Sequence, residues 1–258
     1  MTEQRRTALI TGASAGLGAE FARQLGAAGC NLVLVARRAE RMEAIARPLR
    51  VRHGIDTTLI SADLADREAP KQIHEQLLRQ GIDVDYLINN AGAGSGDLLE
   101  DRDFEAHARY LELMVNSVAH MCHLFVPGMR ERGFGRVINV ASVAARIPRA
   151  GGCLYGASKA FLVHMSEEMQ LTVRRDGVNV SALCPGFTHT DFHAVAGTLE
   201  MKEHSPKILW YDADVVVREG LAAVERGKAV MVSGRIYRLL DPLFQSVWTR
   251  RLFRLTAP

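Results

Sequence analysis

The sequence is short of the features that mark membrane-spanning, secreted and metal-binding proteins. Its 258 residues include four cysteines, with no C-x-x-C pair and no Cys/His cluster of zinc spacing, so no metal site is expected. We interpret the four as reduced thiols of a cytoplasmic protein. No apolar run approaches the ~18 residues of a membrane-spanning helix. The start, MTEQRRTALITG, lacks the long apolar core of a signal peptide.

A strong charge imbalance is also absent. The 32 Lys and Arg residues nearly balance the 29 Asp and Glu residues, and the net charge of +3 does not indicate a nucleic-acid partner. Apolar content of 48% and charged content of 24% are ordinary for a globular protein. No linker, internal repeat or low-complexity segment divides the chain, so residues 1–258 are predicted to form one domain.

Strand-like and helical patterns alternate along the chain. The run NLVLVA (31–36) is continuously apolar, as expected for a strand buried on both faces. Helical patterns separate the strands, which predicts an α/β fold: a doubly wound, Rossmann-type parallel sheet of about seven strands. Residues 187–211 show no clear period and are predicted to form a lid over the substrate. The predicted strands are 7–10, 31–36, 57–61, 86–88, 136–142, 179–184 and 229–232.

A glycine-rich turn joins the first strand to the first helix. Gly12, Gly16 and Gly18 permit a tight turn and close approach of the backbone to a pyrophosphate, which the free N–H groups of the helix would bind. The spacing G-x-x-x-G-x-G departs from the G-x-G-x-x-G fingerprint, and no Gly-Lys-Ser/Thr follows, so it is not a P-loop. The same residues match G-x-S-x-G, the nucleophile elbow of hydrolases, with Ser14 as the nucleophile. Only thirteen residues precede Ser14, too few for the strands that come before that elbow.

Tyr155 and Lys159 are four residues apart and share a face of a predicted helix. Ser142 ends the strand-like run RVINVAS, close enough along the chain for its hydroxyl to meet the tyrosine. A phenol, an ammonium and a hydroxyl in one place suggest acid–base chemistry on a carbonyl or an alcohol. The pKa of a free tyrosine is roughly 10, and a nearby cation is expected to lower it.

Taken together, the motifs resemble those of the short-chain dehydrogenase/reductase family, in its order and at its usual separations. The resemblance covers residues 5 to 232. It rests on Thr11, Gly12, Gly16, Gly18, Asp63, Asn89, Asn90, Ala91, Gly92, Asn116, Ser142, Tyr155, Lys159, Pro185 and Gly186.

The resemblance implies a role for each catalytic candidate. Tyr155 would be the general acid/base, and Ser142 would stabilise charge on the substrate oxygen. Lys159 would hold the nicotinamide ribose and lower the pKa of the tyrosine. Asn116 would anchor a water that links Lys159 to solvent. Cofactor contacts would come from Gly12, Ser14, Gly16, Leu17, Gly18, Arg37, Arg38, Asp63, Leu64, Asn90, Ala91, Gly92, Tyr155, Lys159, Pro185, Gly186, Thr188 and Thr190.

The end of the second strand indicates the cofactor. NAD-selective proteins place an acidic residue there, but this chain has Ala36 followed by Arg37 and Arg38. A guanidinium can pair with a 2′-phosphate, and Ser14 could add a hydroxyl, so NADP is favoured. The alternative is that both arginines are only exposed residues at the start of a helix. The acidic side chain of Glu40 lies close by and weakens the argument for NADP.

The predicted function is NADP-dependent hydride transfer between nicotinamide and a carbonyl or secondary alcohol, with reduction of a lipophilic ketone favoured. The substrate end of the active-site pocket would include Gly94–Leu99 and the apolar residues Ala144, Ala145, Ile147 and Leu154. The protein is expected to form a homodimer or homotetramer. The alternative function is not enzymatic: a regulatory protein that binds the cofactor without turnover.

The C-terminal segment 235–258 carries five arginines against Asp241, a net charge of +4. Leu240, Leu243, Phe244 and Val247 would form one apolar helical face. That face could pack on a sister subunit or cover the substrate pocket, or the basic helix could lie on an anionic membrane surface. Packing is favoured.

Overall fold

The computed structural model describes residues 5–148, 153–190 and 206–249. The strands are β1 (Thr7–Thr11), β2 (Asn31–Ala36), β3 (Thr57–Ser61), β4 (Tyr86–Asn89), β5 (Gly135–Val140), β6 (Val178–Cys184), β7 (Phe187–Thr188), β8 (Trp210–Tyr211) and β9 (Val230–Val232). The helices are α1 (Gly16–Ala27), α2 (Ala39–His53), α3 (Ala69–Arg79), α4 (Phe104–Leu111), α5 (Ser117–Glu131), α6 (Cys153–Val173), α7 (Ala213–Glu225) and α8 (Arg235–Gln245).

Seven of these strands form one parallel sheet in the order β3-β2-β1-β4-β5-β6-β9. Helices α1, α2 and α7 cover one face, and α3, α5 and α6 pack against the other. The predicted doubly wound α/β fold is confirmed. Continuously apolar strands follow from this sandwich, because a strand between two helical layers is buried on both sides; every residue of β1 is buried.

The order of strands reverses between β1 and β4. Parallel pairing sets Ile10 beside Leu34 on one side and Ile88 on the other, so the carboxyl ends of these strands reach one edge of the sheet. A crevice opens at such a switch point, because the connections from the two strands run in opposite directions. The glycine-rich turn after β1 and the NNAG run after β4 therefore face each other across that crevice.

The helical pattern of residues 39–53 predicts an interruption at Pro48, and the single long helical pattern of residues 103–132 predicts a bend at Pro127. Helix α2 continues through Pro48, and α5 through Pro127. The predicted single helix over 103–132 is instead divided by the π-helical turn Glu112–Asn116, in which the N–H of Ser117 donates to the carbonyl of Glu112. A π-turn widens the backbone locally and is common at functional sites.

Two predicted segments are described in part. Of the lid 187–211, residues 191–205 lie outside the described residues, while the ends pair as β7 and β8 in a small parallel sheet. Of the C-terminal segment 235–258, residues 250–258 lie outside.

The predicted apolar face of the C-terminal segment is wrong in its membership. Phe244 is buried together with Tyr237, but Leu243 is 41% and Val247 79% exposed. The helix ends at Gln245, so Val247 no longer follows its helical spacing. The buried residues of the helix are Tyr237 and Phe244, and Leu240 between them is half-buried.

Within the described ranges, no helix combines the length and apolar character needed to cross a bilayer. In the same residues, no group of three or more His, Cys, Asp and Glu side chains is arranged to hold a metal ion.

Candidate active site

The glycine-rich turn forms a cradle of backbone at the start of α1. Gly12 has a φ of +65°, a region that favours glycine, and a Cβ there would lie 2.8 Å from Asn90 Nδ2. A Cβ on Gly18 would lie 2.3 Å from the Gly12 carbonyl oxygen. No side chain caps α1 at Ala15, and its first turn has no acidic residue. The first N–H groups and the positive end of the helix dipole therefore suit a phosphate.

Thr11 braces the two loops that face each other across the crevice. Its hydroxyl accepts hydrogen bonds from the backbone N–H groups of Asn90 (2.9 Å) and Ala91 (3.0 Å). Asn90 Nδ2 in turn donates to the Thr11 carbonyl at 2.9 Å. These bonds hold the NNAG run against the glycine-rich turn, so both sides of a dinucleotide site have a fixed separation without a ligand.

Cationic side chains lie at the end of β2. The Arg38 guanidinium donates to Ser14 Oγ at 3.0 Å, and Arg37 and Arg41 line the same cavity. Sequence reasoning missed Arg41, although it lies one helical turn beyond Arg37. The pairing also argues against the hydrolase interpretation, since a guanidinium cannot accept the proton of a nucleophilic serine.

The acid–base candidates meet where β5 ends and α6 begins. Ser142 follows β5 and caps the short 3₁₀ turn Val143–Ala145, accepting from the Ala144 N–H at 3.1 Å. It also forms a side-chain hydrogen bond with Tyr155. Lys159, on the same face of α6, is buried and donates to the Val140 carbonyl at 2.7 Å. Its ammonium lies 5.9 Å from the centre of the Tyr155 ring. The end of β5 and one face of α6 thus bring Ser142, Tyr155 and Lys159 together.

The expected lowering of the tyrosine pKa is not found. Burial raises the pKa of Tyr155 above its ordinary value, and the hydrogen bond with Ser142 offsets this only in part. The pKa of Lys159 falls from 10.5 to about 8, also because of burial. The prediction treated the ammonium as a solvated charge beside the phenol. In the structure both groups are desolvated, which disfavours both charged forms, and the ammonium is directed at Val140.

Asn116 is the catalytic candidate that the structure does not bring to this group. Its side chain is exposed and Nδ2 donates to Glu112 Oε2 at 2.7 Å. Both residues belong to the π-helical turn, which places Leu113 rather than Asn116 at the cavity surface. The role of Asn116 in anchoring a water therefore has no side-chain contact to support it.

The phosphate cradle and the acid–base group share one cavity of about 1290 Å³. This exceeds the roughly 300–1,000 Å³ typical of a pocket for one small ligand, so a dinucleotide and a second molecule can be held together. Every predicted cofactor residue lines it except Gly18, which instead closes the turn beneath. Asp63, at its edge, accepts from Arg109 Nη2 at 3.3 Å and from the Ala65 N–H at 3.1 Å. The donors, the cradle and the volume fit a nicotinamide dinucleotide.

The substrate end agrees with the prediction in part. Gly94, Ser95, Ala144, Ala145 and Ile147 line the cavity, whereas Leu154 does not and Leu99 is 79% exposed. Leu154 precedes Tyr155 by one residue and so points about 100° away from it around the helix. Tyr237 and Leu209 also line the cavity. Leu209 belongs to the segment 187–211 that is predicted as a lid, whereas no sequence pattern singles out Tyr237, which reaches the site through the packing of α8.

Comparisons with known proteins agree with this geometry. The family model described as "short chain dehydrogenase" matches residues 6–200. The 17-beta-hydroxysteroid dehydrogenase type 3 of Danio rerio is 28% identical over 96% of this chain and 79% of its own length. Sulfoacetaldehyde reductase 2 of Chromohalobacter salexigens is 32% identical over 72% of this chain and 74% of its own.

A solved structure resembles the chain closely in fold. The short-chain dehydrogenase from Sphingobium yanoikuyae, in complex with NADPH, superposes with a TM-score of 0.80 at 31% identity. The superposition covers 88% of this chain and 87% of that one.

Proposed function

The chain belongs to the short-chain dehydrogenase family and is an oxidoreductase enzyme of that family; we propose that it is an NADP-dependent reductase of a lipophilic ketone. The observation that carries the proposal is the meeting of Ser142, Tyr155 and Lys159 in a cavity that continues to the phosphate cradle. The family uses nicotinamide cofactors, and the cradle fits one.

The residues act on the carbonyl oxygen. When bound, the reduced nicotinamide supplies the hydride for the carbonyl carbon. Tyr155 donates its proton to the oxygen as negative charge develops there, and Ser142 donates a hydrogen bond to the same oxygen. The raised pKa of Tyr155 keeps the phenol protonated near neutral pH, as a proton donor requires. Lys159 binds the ribose side of the cofactor, and its positive charge offsets part of the cost that burial adds to forming the phenolate after transfer.

Preference for NADP is supported by the cluster of Ser14, Arg37, Arg38 and Arg41. Three guanidiniums on one rim of the cavity suit a 2′-phosphate. Neither Ala36, at the end of β2, nor Arg37 after it offers a carboxylate to free ribose hydroxyls, and Glu40 lies further on, in the first turn of α2. The structural relative from Sphingobium yanoikuyae is in complex with NADPH, which supports the same choice.

A lipophilic substrate is supported by the walls of the substrate end. Ala144, Ala145, Ile147, Leu209 and Phe187 are apolar and leave Ser142 and Tyr155 as the convergent polar groups. The relative from Danio rerio is named for a hydroxysteroid and that from Chromohalobacter for sulfoacetaldehyde. The substrates named for the two relatives therefore differ widely in polarity, and the apolar walls support the choice of a lipophilic ketone here.

The direct test is loss of NADPH fluorescence against a panel of ketones and aldehydes graded in size and polarity. We expect turnover with bulky apolar ketones and little with small charged aldehydes. Turnover restricted to charged aldehydes would refute the substrate class. Tight NADPH binding with no oxidation by any member would favour a cofactor-binding regulator.

Arg38→Ala should weaken NADPH binding by about ten- to a hundredfold, since a hydrogen bond to a charged group contributes roughly 1.5–3 kcal/mol. NADH binding should change little, because NADH has no phosphate at that position. Titration of both cofactors by fluorescence measures the difference. Arg47→Ala is the matched control, since Arg47 is exposed on the same helix and does not line the cavity. Equal losses for the two cofactors would remove Arg38 from phosphate recognition.

We further propose a cytoplasmic homodimer or homotetramer, with residues 1–258 as one catalytic domain and 187–211 as its lid. The four cysteines are all unpaired in the structure, which suits a reducing compartment. Light scattering gives the subunit number. Co-sedimentation with anionic vesicles, lost when residues 235–258 are removed, would support the alternative role of that segment at a membrane surface.

A further inference from the structure

Helix α8 forms one wall of the substrate end through Tyr237. This residue is buried, lines the cavity, and donates its phenolic hydrogen to the Leu209 carbonyl at 3.2 Å. The Tyr237 hydroxyl oxygen also accepts a hydrogen bond from the Phe187 N–H at 3.4 Å. Leu209 and Phe187 stand at the two described ends of the lid segment. One phenol on α8 therefore ties both ends of that segment to the wall.

The Tyr237 ring also packs directly on the turn that follows β6. A Cβ on Gly186 would lie 2.0 Å from Tyr237 Cε2, so only glycine leaves room for the ring. Pro185 and Gly186 line the cavity where the cofactor site and the substrate site join. The position of α8 thus sets the free space beside this turn.

A bidentate ion pair joins α8 to the turn that carries Ser142. Arg146 follows the 3₁₀ turn Val143–Ala145, and its guanidinium donates to both carboxylate oxygens of Asp241, at 2.7 and 2.8 Å. The two side chains are only 16% and 19% exposed, so water screens the pair less than a surface ion pair. Gln245 Nε2 adds a bond to the Arg146 carbonyl at 3.3 Å.

Tyr237 and Asp241 are four residues apart and so lie on one face of α8. On that face, Tyr237 contacts both described ends of the lid segment and the Gly186 turn, and Asp241 binds the turn that carries Ser142. On the basis of the proposed ketone reduction, we propose that the Arg146–Asp241 ion pair is a positioning pair. It fixes α8 relative to Ser142, and Tyr237 thereby determines the size of the ketone that is accepted.

The kinetic test uses Arg146→Ala, Asp241→Ala, the double variant and the exchanged pair R146D/D241R. Each single change should raise KM for a bulky ketone by at least about tenfold, because a buried pair that loses one partner is strongly destabilised and α8 shifts. KM for NADPH should stay within about twofold of wild type, since neither Arg146 nor Asp241 lines the cavity that would hold the cofactor. The double variant should be no worse than either single one, and the exchanged pair should regain part of the loss.

Two further variants distinguish a change in the position of α8 from a general loss of stability. Arg130→Ala, which breaks the exposed Arg130–Asp176 pair between α5 and the 3₁₀ turn after α6, is the control for loss of an Arg–Asp pair away from the cavity. Tyr237→Leu should change the ratio of kcat/KM for large against small ketones by about tenfold, the effect of one or two methylenes of pocket space. A melting temperature lowered by Asp241→Ala with both KM values unchanged would overturn the proposal.

Amide hydrogen exchange tests the same proposal without turnover. Arg146→Lys keeps the charge but loses the bidentate geometry, and should fold even where the alanine variant does not. Exchange at Tyr237 and Leu240 should become faster in either Arg146 variant while NADPH affinity is unchanged. Should wild type reduce no carbonyl at all, the proposed function fails and this measurement still decides whether the pair holds α8. Unchanged exchange would then refute the positioning role.

Discussion

Tyr155→Phe is expected to lower turnover by at least about 10²-fold, the lower end of what a positioned general acid contributes. Tyr155 lies in the first turn of α6, and a phenyl ring keeps the packing of its side chain there, so only the proton donor and its hydrogen bond with Ser142 are lost. The affinity for NADPH should be nearly unchanged, because the glycine cradle and the arginine rim are untouched. Stopped-flow NADPH oxidation and a fluorescence titration of the cofactor measure the two quantities separately.

The matched control is Tyr86→Phe. Tyr86 is also half-buried, also has a pKa raised by burial, and donates its hydroxyl to Glu225 at 2.8 Å. It starts β4, whereas the active site is at the carboxyl end of that strand. Removing that hydroxyl should leave turnover intact. Residual turnover of Tyr155→Phe above about a tenth of wild type would refute the role of Tyr155 as the proton donor.

The sheet could be predicted from sequence because its signals are local. The run NLVLVA becomes β2 with the predicted bounds, since a strand between two helical layers must be apolar on both sides. Gly54 ends α2 in the left-handed conformation, and the helix ends where the pattern placed it. Prediction failed where tertiary packing overrides local preference. The π-turn Glu112–Asn116 divides a segment whose pattern is continuous, and α2 continues through Pro48, where an interruption is predicted.

The candidate site also combines features that local sequence patterns predict with features that they do not. The spacing of Tyr155 and Lys159 on one helix, and the glycines between strand and helix, are local patterns, so they locate the cavity correctly. Contacts between elements distant in the chain leave no such pattern. Arg146 and Asp241 are 95 residues apart, and nothing in either neighbourhood indicates a partner. The pKa of Tyr155 escaped prediction for a related reason, since burial depends on the whole fold.

Lys159→Met should lower turnover by about 10²-fold or more and weaken NADPH binding about tenfold, because the ammonium serves both the phenol and the cofactor. Methionine is unbranched and apolar, so it can fill the buried channel that Lys159 occupies beside Val140. Lys71→Met, an exposed change on α3, is the control for removing one positive charge. Normal turnover in Lys159→Met would remove Lys159 from the catalytic group.

Stability should move in the opposite direction from activity in the Lys159 variant. Burial lowers the lysine pKa from 10.5 in the unfolded chain to about 8, so the folded protein bears the cost of a desolvated charge at neutral pH. Between these two values the unfolded chain keeps the proton that the folded protein has lost, and the unfolding free energy of wild type therefore rises with pH. Lys159→Met should be as stable as wild type or more so at pH 7, and its advantage should shrink from pH 8 to 10.5. Urea unfolding of both proteins across that range measures the difference. A variant that loses stability at pH 7 would mean that the hydrogen bond to Val140 outweighs desolvation, and that Lys159 is kept for the fold as well as for catalysis.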